Sequence, residues 1–388
     1  MALLIAGALV FSVAFSIVTP GPVDTVIEAR AATRMTWPLC GYLDNYKTEP
    51  YLSSILAPAF SDGSSIVLFG SSELTTTDHP AKPFNFFNNT LGMPLLAIGH
   101  AGSQSFAIHS QLISSGADLH NARIAILISP SWFVDRAGME GTSLSCFLEY
   151  NPAPSLYRVN TGLSKGDTAG LAVRGFLVEH HHELGDAQPI VKHMIQGGST
   201  TELARYWFSL PWNSLLVDRT SATMLASARP TPKPLVPVAP PEAAPDWDSL
   251  YAKARAEHLA VCTNNKAFVN DAYYTEHVNG ATRRIEPVQL EANREYADFI
   301  GLLDHLRAKG ARPVFIIQPL NPFVYTDLNE IDPTIDAIRK ALDERDFAYL
   351  DLWISDTARF EPGVLTDVMH LGPLGWYRVD SMILAHFQ

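Results

Sequence analysis

Short apolar runs rich in β-branched residues, closed by glycine or proline, recur along the chain and alternate with stretches whose apolar residues fall at helical spacing. The first, Ser65–Phe69, lies between Asp62-Gly63 and Gly70 and reads as a buried strand. Met93–Ile98 gives a second strand, Ala122–Ile128 a third, Pro313–Ile317 a fourth and Phe347–Leu352 a fifth. Between them, Phe106, Ile108, Leu112 and Ile113 recur at helical spacing up to Gly116. Leu290–Lys309 gathers Tyr296, Phe299, Ile300, Leu303 and Leu306 on one face before Gly310, and Ile331–Arg345 makes a further helix. Strands alternating with helices predict an α/β fold: a mostly parallel five-stranded sheet with helices on both faces, three α/β/α layers in all.

Other stretches fit that alternation less well. The region up to Gly63 carries Trp37, Tyr42, Tyr46 and Tyr51 and reads as an approach segment packed on the domain. From about residue 135 to 285 the pattern becomes irregular, as in a helical insertion, with Leu144–Tyr150, Leu171–Val178, Leu203–Phe208 and Trp247–Ala260 each able to form a helix. Within it, 229–245 is proline-rich and favours extended polyproline geometry, as an exposed connector or as a ligand for a partner. His180-His181-His182-Glu183 has metal-ligand residue types. Adjacent side chains diverge, however, so a solvated loop is the expectation.

Met1–Val18 has no charged residue and is just long enough, at about 1.5 Å per residue, to cross a bilayer. Residues 1–19 are read as a membrane anchor, with a cleaved signal peptide as the alternative, and the rest of the chain (35–388) is placed outside the cytoplasm. A formal charge of −12 argues against nucleic acid as a partner. Cys40, Cys146 and Cys262 are widely spaced and odd in number; three buried thiols, or one disulfide and one thiol, both fit.

The chemistry gathers where strands end. Gly70-Ser71-Ser72 follows the first strand, Gly99–Ser105 the second, Ser129-Pro130-Ser131 the third and Gln318–Asn321 the fourth, all on one edge of a parallel sheet. Far downstream, Asp367-Val-Met-His370 supplies a carboxylate and an imidazole three positions apart. Serine, histidine and aspartate are the parts of an activated oxygen nucleophile.

This order of motifs resembles the SGNH (GDSL-like) hydrolase superfamily and, within it, the DltD family of cell-envelope D-alanylation. The resemblance is carried by Phe69-Gly-Ser-Ser-Glu-Leu74, Gly102-Ser-Gln-Ser105, Ser129-Pro-Ser-Trp-Phe133, Asp271-Ala-Tyr-Tyr274 and Asp367-Val-Met-His-Leu-Gly372 with Gly375-Trp376. It implies Ser72 as nucleophile, His370 as general base and Asp367 as the group that orients it, with Ser71 at the position that is aspartate in the wider superfamily. It also implies an oxyanion hole from the N–H groups of Ser72 and Gly102, with Asn321 as a candidate third donor because the superfamily's Gly-x-Asn-Asp motif is replaced by Ser129-Pro-Ser-Trp-Phe133. His100 and His109 match no required role and are expected to be structural. The resemblance implies a membrane-bound O-acyltransferase partner, a D-alanyl donor and an envelope-polymer acceptor such as a lipoteichoic acid; no metal or dissociable cofactor is called for. An O-acetyltransferase or esterase of an exopolysaccharide, and a non-catalytic scaffold of an envelope acylation complex, are the competing functions.

Overall fold

A run of four to six apolar residues cannot satisfy its own backbone N–H and C=O groups, so such runs must pair. The structure is a computed structural model describing residues 39–43, 52–61, 63–151, 153–183, 191, 194–195, 233–234, 243–263 and 267–388. Its strands are β1 (Leu39–Leu43), β2 (Ile66–Phe69), β3 (Leu95–Ile98), β4 (Arg123–Ile128), β5 (Lys233–Pro234), β6 (Arg312–Ile317) and β7 (Ala348–Asp351). They form one sheet in the order β5-β1-β3-β2-β4-β6-β7. The five expected strands make its parallel core. Beyond β3 the sheet gains β1, parallel, and the two-residue β5, antiparallel, neither of which was expected.

Alternation along the strands sends side chains to two buried faces. Val67, Phe69, Ile124, Ile126, Phe315 and Ile317 point to one cluster, and Ile66, Leu68, Ala125, Leu127, Val314 and Ile316 to the other. The first face is covered by α1 (Leu52–Ser61), α2 (Ser105–Ser115), α8 (Arg294–Ala308) and α9 (Asp332–Asp343). The second is covered by α7 (Trp247–Val261), α10 (Pro373–Phe387) and the turns of 83–91. Three α/β/α layers follow. The expected helix from Leu290 begins at Arg294 instead, because the Asn293 side chain accepts the Tyr296 N–H at 2.9 Å and so caps it there.

After β4 the chain passes through α3 (Asp135–Glu140), α4 (Leu144–Tyr150), α5 (Ala153–Ser164) and α6 (Leu171–Glu179). Phe147, Leu156, Val159, Val173, Phe176 and Leu177 of this group join Phe106 of α2 in a third apolar cluster, so the irregular segment is anchored to the sheet's helical layer. Met1–Val18, Leu203–Phe208 and most of 229–245 lie outside the described residues. Among the described residues no helix is long and apolar enough to cross a membrane.

The register sets up the site. Phe69 lies opposite Ile98 on β3 and Ile126 on β4, so the chain leaves neighbouring strands at Gly70 and Gly99 side by side. The Gly70 N–H donates to Ile98 O at 3.0 Å. A Cβ on Gly99 would stand 2.0 Å from Gly70 O, a separation no side chain permits.

Candidate active site

Past Gly70 the chain turns through Ser71 into a 3₁₀ turn, Ser72–Thr75. Three contacts fix this turn from behind. The Ser71 N–H donates to Glu73 Oε1 at 2.6 Å, the Ser71 hydroxyl donates to His100 O at 3.2 Å, and the buried Lys82 ammonium donates to Leu74 O at 2.9 Å and Thr76 O at 2.7 Å. Ser71 is thus directed at the second loop. Ser72 lines the cleft, and its Oγ lies 2.9 Å from His370 Nε2, across 298 positions of sequence.

His370 is held by its own loop. Asp367 Oδ1 accepts the N–H groups of Met369 (2.9 Å) and His370 (2.8 Å), closing an Asx-type turn. With Nδ1 protonated, the ring donates to Asp367 Oδ2 at 2.7 Å and leaves Nε2 to accept from the Ser72 hydroxyl. Burial by itself would lower the imidazole pKa, but the hydrogen bond and charge of Asp367, with Glu73 behind, outweigh it and hold His370 above its ordinary value. Burial would raise Asp367 in turn. The same bond, the imidazole charge and the two N–H groups overcome that and hold the carboxyl below its usual value.

The cleft encloses about 190 Å³ and is lined by Ser72, Glu73, Gly102, Gln104, Ser131 and Trp132 among others, with Met369 and His370 on its far side. Gly102, at φ +89°, belongs to the loop between β3 and α2. That loop is tied down by Ser103, whose hydroxyl meets the Tyr150 hydroxyl, by Gln104, which donates to Trp132 O at 3.3 Å, and by the Ser105 N–H, which donates to Glu295 Oε1 at 3.0 Å. Ser129, Ser131, Trp132 and Gln104 were singled out in the sequence only as motif residues; their place in the cleft follows from β4 ending beside β2. Glu73 too was singled out only within a motif, with no role. An acid in the first turn of a helix reads as solvent-exposed, yet it is 2% exposed here.

Of the expected residues, the structure brings Ser72, His370, Asp367 and Gly102 to one place. Asn321 is placed elsewhere. Its amide donates to Ala267 O at 2.7 Å, its Oδ1 accepts the Phe323 N–H at 2.9 Å, and it is fully buried, so it serves the turn after β6 and presents no donor to the cleft. Its own N–H donates to Val368 O at 3.0 Å and so steadies the His370 loop. His100 and His109 take no part in the relay: the His100 ring sits beside Glu149, and His109 is buried against His305. His180–Glu183 form an exposed turn in which the His180 ring contacts Glu183, and the described residues contain no group of three or more potential metal ligands. Cys146 is buried, and burial with the nearby Glu149 charge pushes its thiol up to about 12, so it is inert near neutral pH; Cys146 and Cys262 are both free thiols, and the Cys40 side chain lies outside the described residues.

A parallel α/β sheet whose strand ends bear a serine hydrogen-bonded to a histidine, and the histidine to an aspartate, defines a protein with an activatable serine. The family model described as "DltD protein" matches residues 48–388, and the chain belongs to the DltD family. It is 22% identical over 329 residues to Protein DltD of Staphylococcus aureus (strain NCTC 8325 / PS 47), covering 83% of this chain and 80% of that one. It is also 22% identical over 347 residues to Protein DltD of Bacillus subtilis (strain 168), covering 83% and 82% of the two chains.

Proposed function

We propose that the protein is a membrane-anchored, extracytoplasmic acyltransferase of the SGNH type that carries a D-alanyl group, as a serine ester, to a cell-envelope polymer. One observation carries the reading: Ser72 Oγ, His370 Nε2 and Nδ1, and Asp367 Oδ2 form a continuous relay with contacts of 2.9 and 2.7 Å. As Ser72 Oγ bonds to the donor's carbonyl carbon, its proton passes to Nε2. The tetrahedral oxyanion is received by the N–H groups of Ser72 and Gly102. Collapse breaks the bond to the donor's oxygen or sulfur, which takes the proton from His370. An acceptor hydroxyl then gives its proton to the neutral imidazole and attacks the ester carbonyl; as the acyl–Oγ bond breaks, Ser72 takes that proton back from His370.

Met1–Val18 would anchor the chain beside a membrane-bound O-acyltransferase that hands over the acyl group. The test uses full-length protein and a small activated acyl ester, with acyl-protein read by intact mass. Wild type forms a single adduct, and Ser72→Ala and His370→Ala slow its formation by about 10⁴-fold or more. Adduct formation by Ser72→Ala at the wild-type rate refutes the mechanism. Mass analysis of envelope polymers from a deletion strain distinguishes lost alanyl from lost acetyl groups.

A further inference from the structure

Behind the nucleophile turn lies a pair of buried charged residues that the relay does not use. Glu73, 2% exposed, accepts the Ser71 N–H at 2.6 Å. Lys82, 1% exposed, spans the carbonyls of Leu74 and Thr76 that end the same 3₁₀ turn. Gly70 leaves room for this arrangement, since a Cβ there would stand 2.6 Å from Glu73 Oε1. The buried ammonium needs negative charge close by, and Asp78 and Glu73 are the carboxylates that act on it.

Resting on the reading of Ser72 and His370 given above, we propose that Glu73 is a positioning residue for the reaction: it ties down the turn that aims the Ser72 hydroxyl and, ionised, faces His370 as a second carboxylate beside Asp367 when the imidazole takes the proton.

The groups acting on His370 are Asp367 from its own loop, Glu73 from the turn after β2, and Lys82 beneath that turn, with Lys82 opposing the other two. Burial and the Asp367 charge in turn raise Tyr273 and Tyr325, which Arg283 pulls part of the way back down. Burial holds the Glu73 pKa above its ordinary value, and the N–H groups of Ser71 and of Glu73 itself, the His370 charge and the Gln318 side chain pull it only part of the way back. Protonation of His370 therefore favours the anionic form of Glu73 at the moment the reaction needs it.

The test is an NMR titration of the His370 ring, which needs no turnover. Glu73→Gln keeps an oxygen for the Ser71 N–H and removes the charge. The His370 midpoint is expected to fall by about 0.5 to 1 pH unit, with kcat lowered, KM within about twofold and the acidic limb of the rate profile displaced equally. An unmoved midpoint in a folded variant overturns the proposal. If Glu73→Gln does not fold, the ¹³Cδ resonance of Glu73 in wild-type protein decides. A carboxylate that responds at the His370 midpoint supports the proposal, and one in the protonated position throughout the neutral range overturns it. Retention of activity by Ser72→Ala would instead defeat the underlying mechanism and leave the titration result standing.

Discussion

Glu295 offers the sharpest test of how the loop before α2 is held. Its side chain is wholly buried between α8 and α2, accepts the Ser105 N–H at 3.0 Å, and has no cation against it, since the charge acting on it is that of Asp298. Burial, opposed by Ser105, lifts its pKa from 4.5 to about 8. A raised carboxyl pKa means that the folded state holds a proton the unfolded state has released, so between these two values stability falls as pH rises. At about 1.4 kcal/mol per tenfold change, the full span is worth roughly 5 kcal/mol. Glu295→Gln keeps the shape and the acceptor but cannot ionise. Near pH 4.5 it is expected to match wild type within about 1 kcal/mol, and its relative stability should climb through neutral pH and level off above about pH 8. Urea unfolding at fixed ionic strength, followed by tryptophan fluorescence over that range, measures the difference. Two stability curves that stay parallel would show that Glu295 is already ionised in the fold and that the burial argument fails.

The relay and its supports give further expectations. Asp367→Asn removes the partner that offsets burial at His370, so the imidazole pKa falls and the acidic limb of kcat/KM moves to lower pH, with a rate loss of about 10³- to 10⁴-fold. Ser71→Ala keeps the N–H bonded to Glu73 and loses only the bond to His100 O, so acyl-serine formation should drop by less than about tenfold; inactivity of this variant with an active Ser72→Ala would mean that the wrong serine has been assigned. Gly99→Ala forces a Cβ onto the Gly70 carbonyl and should destabilise the fold by roughly 2–4 kcal/mol, seen as a lowered unfolding midpoint.

Four of the five parallel strands were legible because each is a β-branched or leucine-rich run with a glycine or proline stop, buried on both faces, whereas Ala348–Asp351 is half-buried to exposed and is followed by Leu352-Trp353. β1 escaped notice for the opposite reason: LCGYL has no β-branched residue and a glycine at its centre, so its pairing with β3 and β5 is what makes it a strand. α10 is readable in principle, since Pro373 starts it and Leu374, Val379 and Ile383 follow at nearly helical spacing. In the site, Ser72, Asp367 and His370 follow from strand order and motif. Asn321 does not, because a turn-capping asparagine and an oxyanion donor look identical in sequence and differ only in where the amide points. Glu73 and Lys82 were hidden by the same limit, since local sequence marks both as surface residues and only the surrounding layers enclose them.

The stitching of the His370 loop has a consequence for how the molecule ages and evolves. Val368 O is gripped by Asn321, Thr366 N–H by His370 O, and Asn321 also clasps Ala267, late in the long irregular excursion. The nucleophile rides on the central strand, whereas its base is moored to the homeward end of that excursion. A break near 267–270 would therefore idle the base through Asn321 with the sheet still standing, while a change near Tyr150 would reach the opposite wall of the cleft through Ser103.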